Sequence, residues 1–184
     1  MSTPKLDPER AFLLVIDVQE GFRAAIPDFA GVAAATATMV RGAAAIGVPI
    51  VVTEQYPKGL GETVEEIGRH LPAGTEPLAK TVFSAADADG FDLGDREQAI
   101  VCGIEAHVCV NQTVLDLIDR GIEVHVVADA VGSRSAANRE LGLAKAERAG
   151  AWPTSVEMAL FELLGEAGND DFKQVQRLVL ELAP

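Results

Sequence analysis

A chain of 184 residues is long enough to bury a sizeable core as one domain, and 48% hydrophobic residues with only 5% aromatics implies an interior of Ala, Val, Leu and Ile. A formal net charge of -13, from 15 Lys+Arg against 28 Asp+Glu, argues against nucleic acid or an anionic membrane surface as partner. Two cysteines make no disulfide framework, residues 1–10 carry no signal-peptide apolar stretch and no apolar run approaches membrane-spanning length, so a cytoplasmic protein is expected.

In chain order, residues 11–16 (A-F-L-L-V-I) are an apolar run ending at Asp17 and predict the first strand. Residues 31–46 are Ala-rich and helix-compatible. Gly47-Val48-Pro49 turns the chain into a second strand at 50–53. The segment 54–79 is rich in Gly and Pro and reads mostly as loop, with one helical turn near 64–68. A short third strand follows at 80–83, a fourth at 99–102 and a fifth at 122–127. A helix at 138–149, a short sixth strand at 151–154, a helix at 155–164 capped by Ser155 and a last helix at 171–182 complete the chain. This alternation predicts a three-layer α/β/α, Rossmann-like domain: a mostly parallel six-stranded sheet with helices on both faces. One domain spans 1–184, with 1–9 as an N-terminal extension.

The stretch from Gln98 to Arg120 concentrates the chemistry. Its first half is the buried fourth strand; in its second half Val110, Val114, Leu117 and Ile118 recur at helical spacing, and Gly121 stops the helix. Cys109 falls where the helix begins. There the positive end of the helix dipole is expected to lower the thiol pKa and favour thiolate, the nucleophilic form. Cys102 lies inside the apolar strand and reads as packing. In a doubly wound sheet, ligands sit beyond the carboxyl ends of the strands. Asp17 ends the first strand and Lys80 stands at the edge of a short one. A carboxylate, an ammonium and a thiol at three strand ends are the set that thiol-dependent acyl transfer needs.

The runs D-V-Q-E-G-F at 17–22, K-T-V-F-S at 80–84 and G-I-E-A-H-V-C-V at 103–110 resemble the isochorismatase-like cysteine hydrolases. The segments 53–63 (T-E-Q-Y-P-K-G-L-G-E-T) and 119–135 are similar to the isochorismatase domain-containing subgroup. The resemblance implies Cys109 as nucleophile, Asp17 as general base and Lys80 as the cation that stabilises the thiolate. It also implies a non-proline cis peptide at Ile104–Glu105, aiming the Glu105 and Cys109 amides into one oxyanion hole. The implied reaction is cleavage of a small amide-type C–N bond through a thioester, and the implied assembly is a homo-oligomer.

Nicotinamidases in this superfamily carry an Asp-x-His metal motif after the second strand. Residues 53–57 here read T-E-Q-Y-P, so neither a metal nor another cofactor is expected. Gln55 and Tyr56 are candidates for the substrate wall, with Glu54 beside them, and Phe22 and Phe83 are pocket or core residues. His70 is placed on a loop, His125 in a strand, and His107 within the cysteine motif as scaffold. The competing reading is a non-catalytic or redox-sensing binding protein on the same fold.

Overall fold

The computed structural model describes residues 5–168 and 170–182; residues 1–4 of the expected N-terminal extension lie outside it. Six strands form one sheet: β1 (Ala11–Ile16), β2 (Ile50–Gln55), β3 (Leu78–Lys80), β4 (Gln98–Ile104), β5 (Glu123–Gly132) and β6 (Trp152–Thr154). Their order is β3-β2-β1-β4-β5-β6 and every pairing is parallel. The order reverses between β1 and β4, the place where open α/β sheets form their ligand crevice.

All six residues of β1 are buried, as expected of a central strand covered on both faces. Its side chains alternate between two cores. Leu13 and Val15 join the larger one with α1 (Phe29–Ile46), α6 (Val156–Leu164) and α7 (Asp170–Leu182). Phe12, Leu14 and Ile16 join the other with α4 (Cys109–Asp119) and α5 (Ala136–Ala149). The anticipated stripe of α4 is present: Val110, Val114 and Leu117 are buried, each contributing about 1.5–3 kcal/mol. Asn111, outside that stripe, is also buried, because its Nδ2 donates to the Gly142 carbonyl of α5 at 3.1 Å.

α1 corrects one expectation. Its 18 residues have a mean hydropathy of 1.4 and are long and apolar enough to cross a membrane, yet 56% of the span is buried inside the protein. It is a helix of the larger core.

The second strand runs two residues further than the sequence implied, to Gln55. The third is displaced the other way: β3 ends at Lys80 instead of beginning there. The reason is local. Lys80 Nζ donates to the carbonyls of Val82 at 3.3 Å and Phe83 at 3.2 Å, so residues 81–83 curl around the ammonium rather than pairing on β2. The intervening loop holds two short helices, α2 (Pro57–Leu60) and α3 (Glu65–Gly68), the second where the helical turn was placed. β5 runs to Gly132 with a register shift opposite Val101 and Gly103, which carries residues 131–135 to the turn that bears Cys109.

Candidate active site

Two residues of the site depart from one rung of the sheet. Ile16 of β1 pairs with Gly103 of β4, so Asp17 and the cysteine turn leave the sheet side by side. Gly103 has φ +126, and a Cβ there would overlap the Ile16 carbonyl oxygen. Glycine is required for both reasons. Asp17 itself has φ +55, a left-handed conformation unusual for a residue with a side chain.

The Asp17 and Lys80 side chains are fully buried, with Lys80 Nζ 2.7 Å from Asp17 Oδ2. A buried ion pair of this kind is weak evidence for stability, because desolvation offsets much of the attraction, while removal of either partner costs about 3–5 kcal/mol. Its retention therefore points to chemistry. The other carboxylate oxygen, Oδ1, accepts from Thr53 Oγ1 at 2.7 Å. Lys80 Nζ also donates to Gln55 Oε1 at 2.7 Å. With Asp17, Gln55, Val82 and Phe83 around it, the ammonium faces more acceptors than it has protons.

Cys109 is the first residue of α4, buried on the side of the sheet that holds α4 and α5. The charges of Asp17 and Lys80 act on its thiol in opposite directions. The expected effect of the helix dipole on this thiol is overturned. Burial first, and the Asp17 carboxylate second, push the thiol from about 9 up to about 12, against the opposing pull of Lys80. That difference corresponds to about 4 kcal/mol in favour of the neutral thiol, whereas a helix terminus supplies about 0.3–1 kcal/mol. The resting group is a protonated thiol beside a carboxylate. Its alkylation by iodoacetamide, which attacks the thiolate, should therefore rise about tenfold per pH unit from pH 7 to 9 without levelling. A plateau below pH 8 would show a thiol already ionised at rest.

The Ile104–Glu105 peptide is cis, as the resemblance implied. Among the described residues, neither the Glu105 nor the Cys109 amide donates a hydrogen bond, while the Glu105 carbonyl accepts from Val108 at 3.0 Å and Val110 at 3.2 Å. The Glu105 carboxylate turns away and clamps Arg134, accepting from its amide at 2.9 Å and from Nε at 3.0 and 3.1 Å. Ala106 N donates to the Gly132 carbonyl at 2.8 Å, and His107 Nδ1 lies 3.1 Å from Ser133 Oγ. The end of β5 thus braces the cysteine turn at three points.

The remaining candidates divide. Gln55 is partly buried and accepts from Lys80 Nζ at 2.7 Å. Tyr56 is 55% exposed and lines, with Ala79, Lys80, Val82, Asp87 and others, a cavity of ≈ 430 Å³ outside β3. That cavity shares Lys80 with the site but is lined by neither Asp17 nor Cys109. Phe83 is half exposed, and Phe22 packs partly buried against the larger core. Glu54 accepts from the Thr63 amide at 2.6 Å and hydroxyl at 2.8 Å, which makes it a loop anchor. None of the three histidines bonds to Asp17, Lys80 or Cys109 among the described residues, where no cluster of three or more metal-ligating side chains occurs either. Cys102 lies in the core on the opposite side of the sheet from Cys109. Thr53 was missed as a site residue; its only signal was a hydroxyl closing an otherwise apolar strand.

The chain has counterparts among known proteins. A family model for the isochorismatase domain matches residues 11–158. Isochorismatase domain-containing protein 2 of Homo sapiens is 42% identical over 180 residues, covering 96% of this chain and 86% of its own. The secreted isochorismatase effector Isc1 of Phytophthora sojae is 41% identical over 184 residues, covering 96% and 88%. The solved structure of a MAR1 ribonuclease from Caenorhabditis elegans superposes with a TM-score of 0.94 at 40% identity, covering 98% of this chain and 94% of that one. The six-stranded parallel sheet and the matches over nearly the whole chain agree: the chain belongs to the isochorismatase family and carries its three-layer α/β fold.

Proposed function

We propose that this chain is a cysteine-dependent hydrolase that cleaves a small amide-type C–N bond through a thioester on Cys109. The observation that carries the reading is a buried Asp17–Lys80 ion pair beside the turn that carries the buried thiol of Cys109. As Cys109 Sγ attacks the substrate carbonyl, its proton passes to Asp17, the C–S bond forms and negative charge moves to the carbonyl oxygen. The unengaged Glu105 and Cys109 amides are the donors for that oxyanion. Asp17 then gives the proton to the leaving nitrogen as the C–N bond breaks. Water attacks the thioester, Asp17 takes a proton from it, and the restored thiol recovers that proton as the acid product leaves. Lys80, 2.7 Å from Asp17, offsets the charge that alternates between Asp17 and Cys109.

Family membership alone does not fix the substrate, since the names of its relatives include a ribonuclease and an isochorismatase effector. RNA is the competing substrate on the strength of the 40% identical structure. A net charge of -13 opposes it, because polyanion binding rests on basic surface. The deciding experiment offers the protein a panel of small amides, ureas and esters beside a single-stranded RNA, quenches in acid and weighs the intact protein. An acyl adduct on the peptide containing Cys109 is expected. RNA cleavage with no adduct from any panel member overturns the reading. The protein is also read as a cytoplasmic homo-oligomer, supported by the exposed Tyr56, Val82 and Phe83 beside the site. A light-scattering mass near one 19.3 kDa chain overturns the oligomer, and a secreted fraction in cell fractionation overturns the compartment.

A further inference from the structure

Cys109, Asp17 and Lys80 account for the nucleophile, the base and the cation, but nothing in that set holds the last two in place. Asp17 sits in a left-handed backbone conformation at a strand end, and Lys80 has a long side chain that would ordinarily reach for solvent. Both are nevertheless fully buried and 2.7 Å apart.

We propose that Thr53 and Gln55, two residues apart on one face of β2, are positioning residues for the reaction: Thr53 aims the Asp17 carboxylate and Gln55 aims the Lys80 ammonium. This rests on the hydrolase reading above.

The sheet itself delivers the contacts. Thr53 pairs in register with Ile16, next to Asp17, and Gln55 pairs with Lys80. Residues two apart on a strand point the same way, so one strand reaches both ends of the ion pair. Thr53 Oγ1 donates to Asp17 Oδ1 at 2.7 Å, leaving Oδ2 for Lys80. Gln55 Oε1 accepts from Lys80 Nζ at 2.7 Å. The orientation of that amide is fixed by its other end, where Nε2 donates to the Thr81 carbonyl at 2.9 Å. A flipped amide would set two N–H groups against the ammonium and an oxygen against a carbonyl.

The backbone of Gln55 is pinned in turn. The buried Gln19, two residues after Asp17, accepts from the Gln55 amide at 2.8 Å and donates to its carbonyl at 3.0 Å. The four side chains form one hydrogen-bonded row, Thr53–Asp17–Lys80–Gln55, with both outer members supplied by β2. Hydrogen bonds to a charged form favour that form, so the loss of either bond should be read in the pH profile of the reaction.

The test uses p-nitrophenyl acetate, whose nitrophenolate burst reads acylation of Cys109, followed across pH in wild type, Thr53→Val, Thr53→Ser, Gln55→Met and Gln55→Glu. Thr53→Val should move the acid limb of the burst rate to higher pH by about one unit, with Thr53→Ser restoring it. Gln55→Met should move the alkaline limb to lower pH by a similar amount, about one unit, with the acceptor of Gln55→Glu moving it back. Far-ultraviolet circular dichroism on each variant separates these shifts from unfolding, and the serine and glutamate variants keep the test open if an apolar one fails to fold. A normal wild-type burst with unshifted limbs in all four variants overturns the positioning role alone. No nitrophenolate release above background from wild type, or release that persists in Cys109→Ala, overturns the hydrolase reading and this inference with it.

Discussion

Cys109→Ala is expected to lower turnover of the preferred substrate by about 10³-fold or more and to leave no acyl adduct, because no other described group can take the place of the thiol in the covalent step. The comparison that gives this result meaning is Cys102→Ala. Both cysteines are buried, but Cys102 lies in β4 on the face packed against α1, across the sheet from Cys109. Its truncation should cost about 1 kcal/mol of stability and leave turnover within about twofold of wild type. Turnover assays on both variants, with circular dichroism to confirm folding, decide the matter. Similar losses in both would remove Cys109 from its role.

The second large effect is expected from Gly103→Ala. The added Cβ would enter the space of the Ile16 carbonyl oxygen, and the φ of +126 at this position disfavours any side chain. No rotamer change relieves an overlap between a Cβ and backbone, so β1 and β4 must separate locally. The expected cost is about 3 kcal/mol or more of folding stability. Because Ile16 precedes Asp17, the displacement reaches the base, and a misplacement of about 1 Å is enough to cost about 10²-fold in rate. Denaturant titration should show a lower midpoint with unchanged slope. A variant as stable and as active as wild type would mean that the two strands do not need this close approach.

The strand–helix alternation was legible because buried parallel strands are short apolar runs with β-branched residues; four of the six fell within two residues of their predicted bounds, and the fifth began in place but ran on to Gly132. The third was displaced. A lysine at the start of K-T-V-F reads as a strand entering from solvent, and only the carbonyls of Val82 and Phe83 on Nζ reveal a strand that ends there. Asp17 and Cys109 could be nominated from position, since a strand end and the first turn of the next helix are backbone facts that sequence carries. Their environment was another matter. Burial and a neighbouring carboxylate outweigh the helix terminus at Cys109, and neither term is visible until the fold closes over the thiol. Gln55 read as loop because its strand is extended by pairing with β3, a contact far along the chain. Thr53 was a strand residue to the sequence, and became a partner of Asp17 only through register.

Four side chains of the row and the turn before Cys109 hang from four neighbouring strands, β3, β2, β1 and β4. Adjacent strands keep a separation of about 4.8 Å, set by main-chain hydrogen bonds and indifferent to side-chain identity. The spacing between nucleophile, base and cation is therefore a property of the ladder, as the rungs of a ruler are. The segment between β2 and β3, with its two short helices, contributes Tyr56, Pro57 and Lys58 to the adjoining cavity without adding a rung. In evolution, such a scaffold can lengthen, shorten or rewrite that wall and change what it admits, while the distance over which the proton travels stays the same.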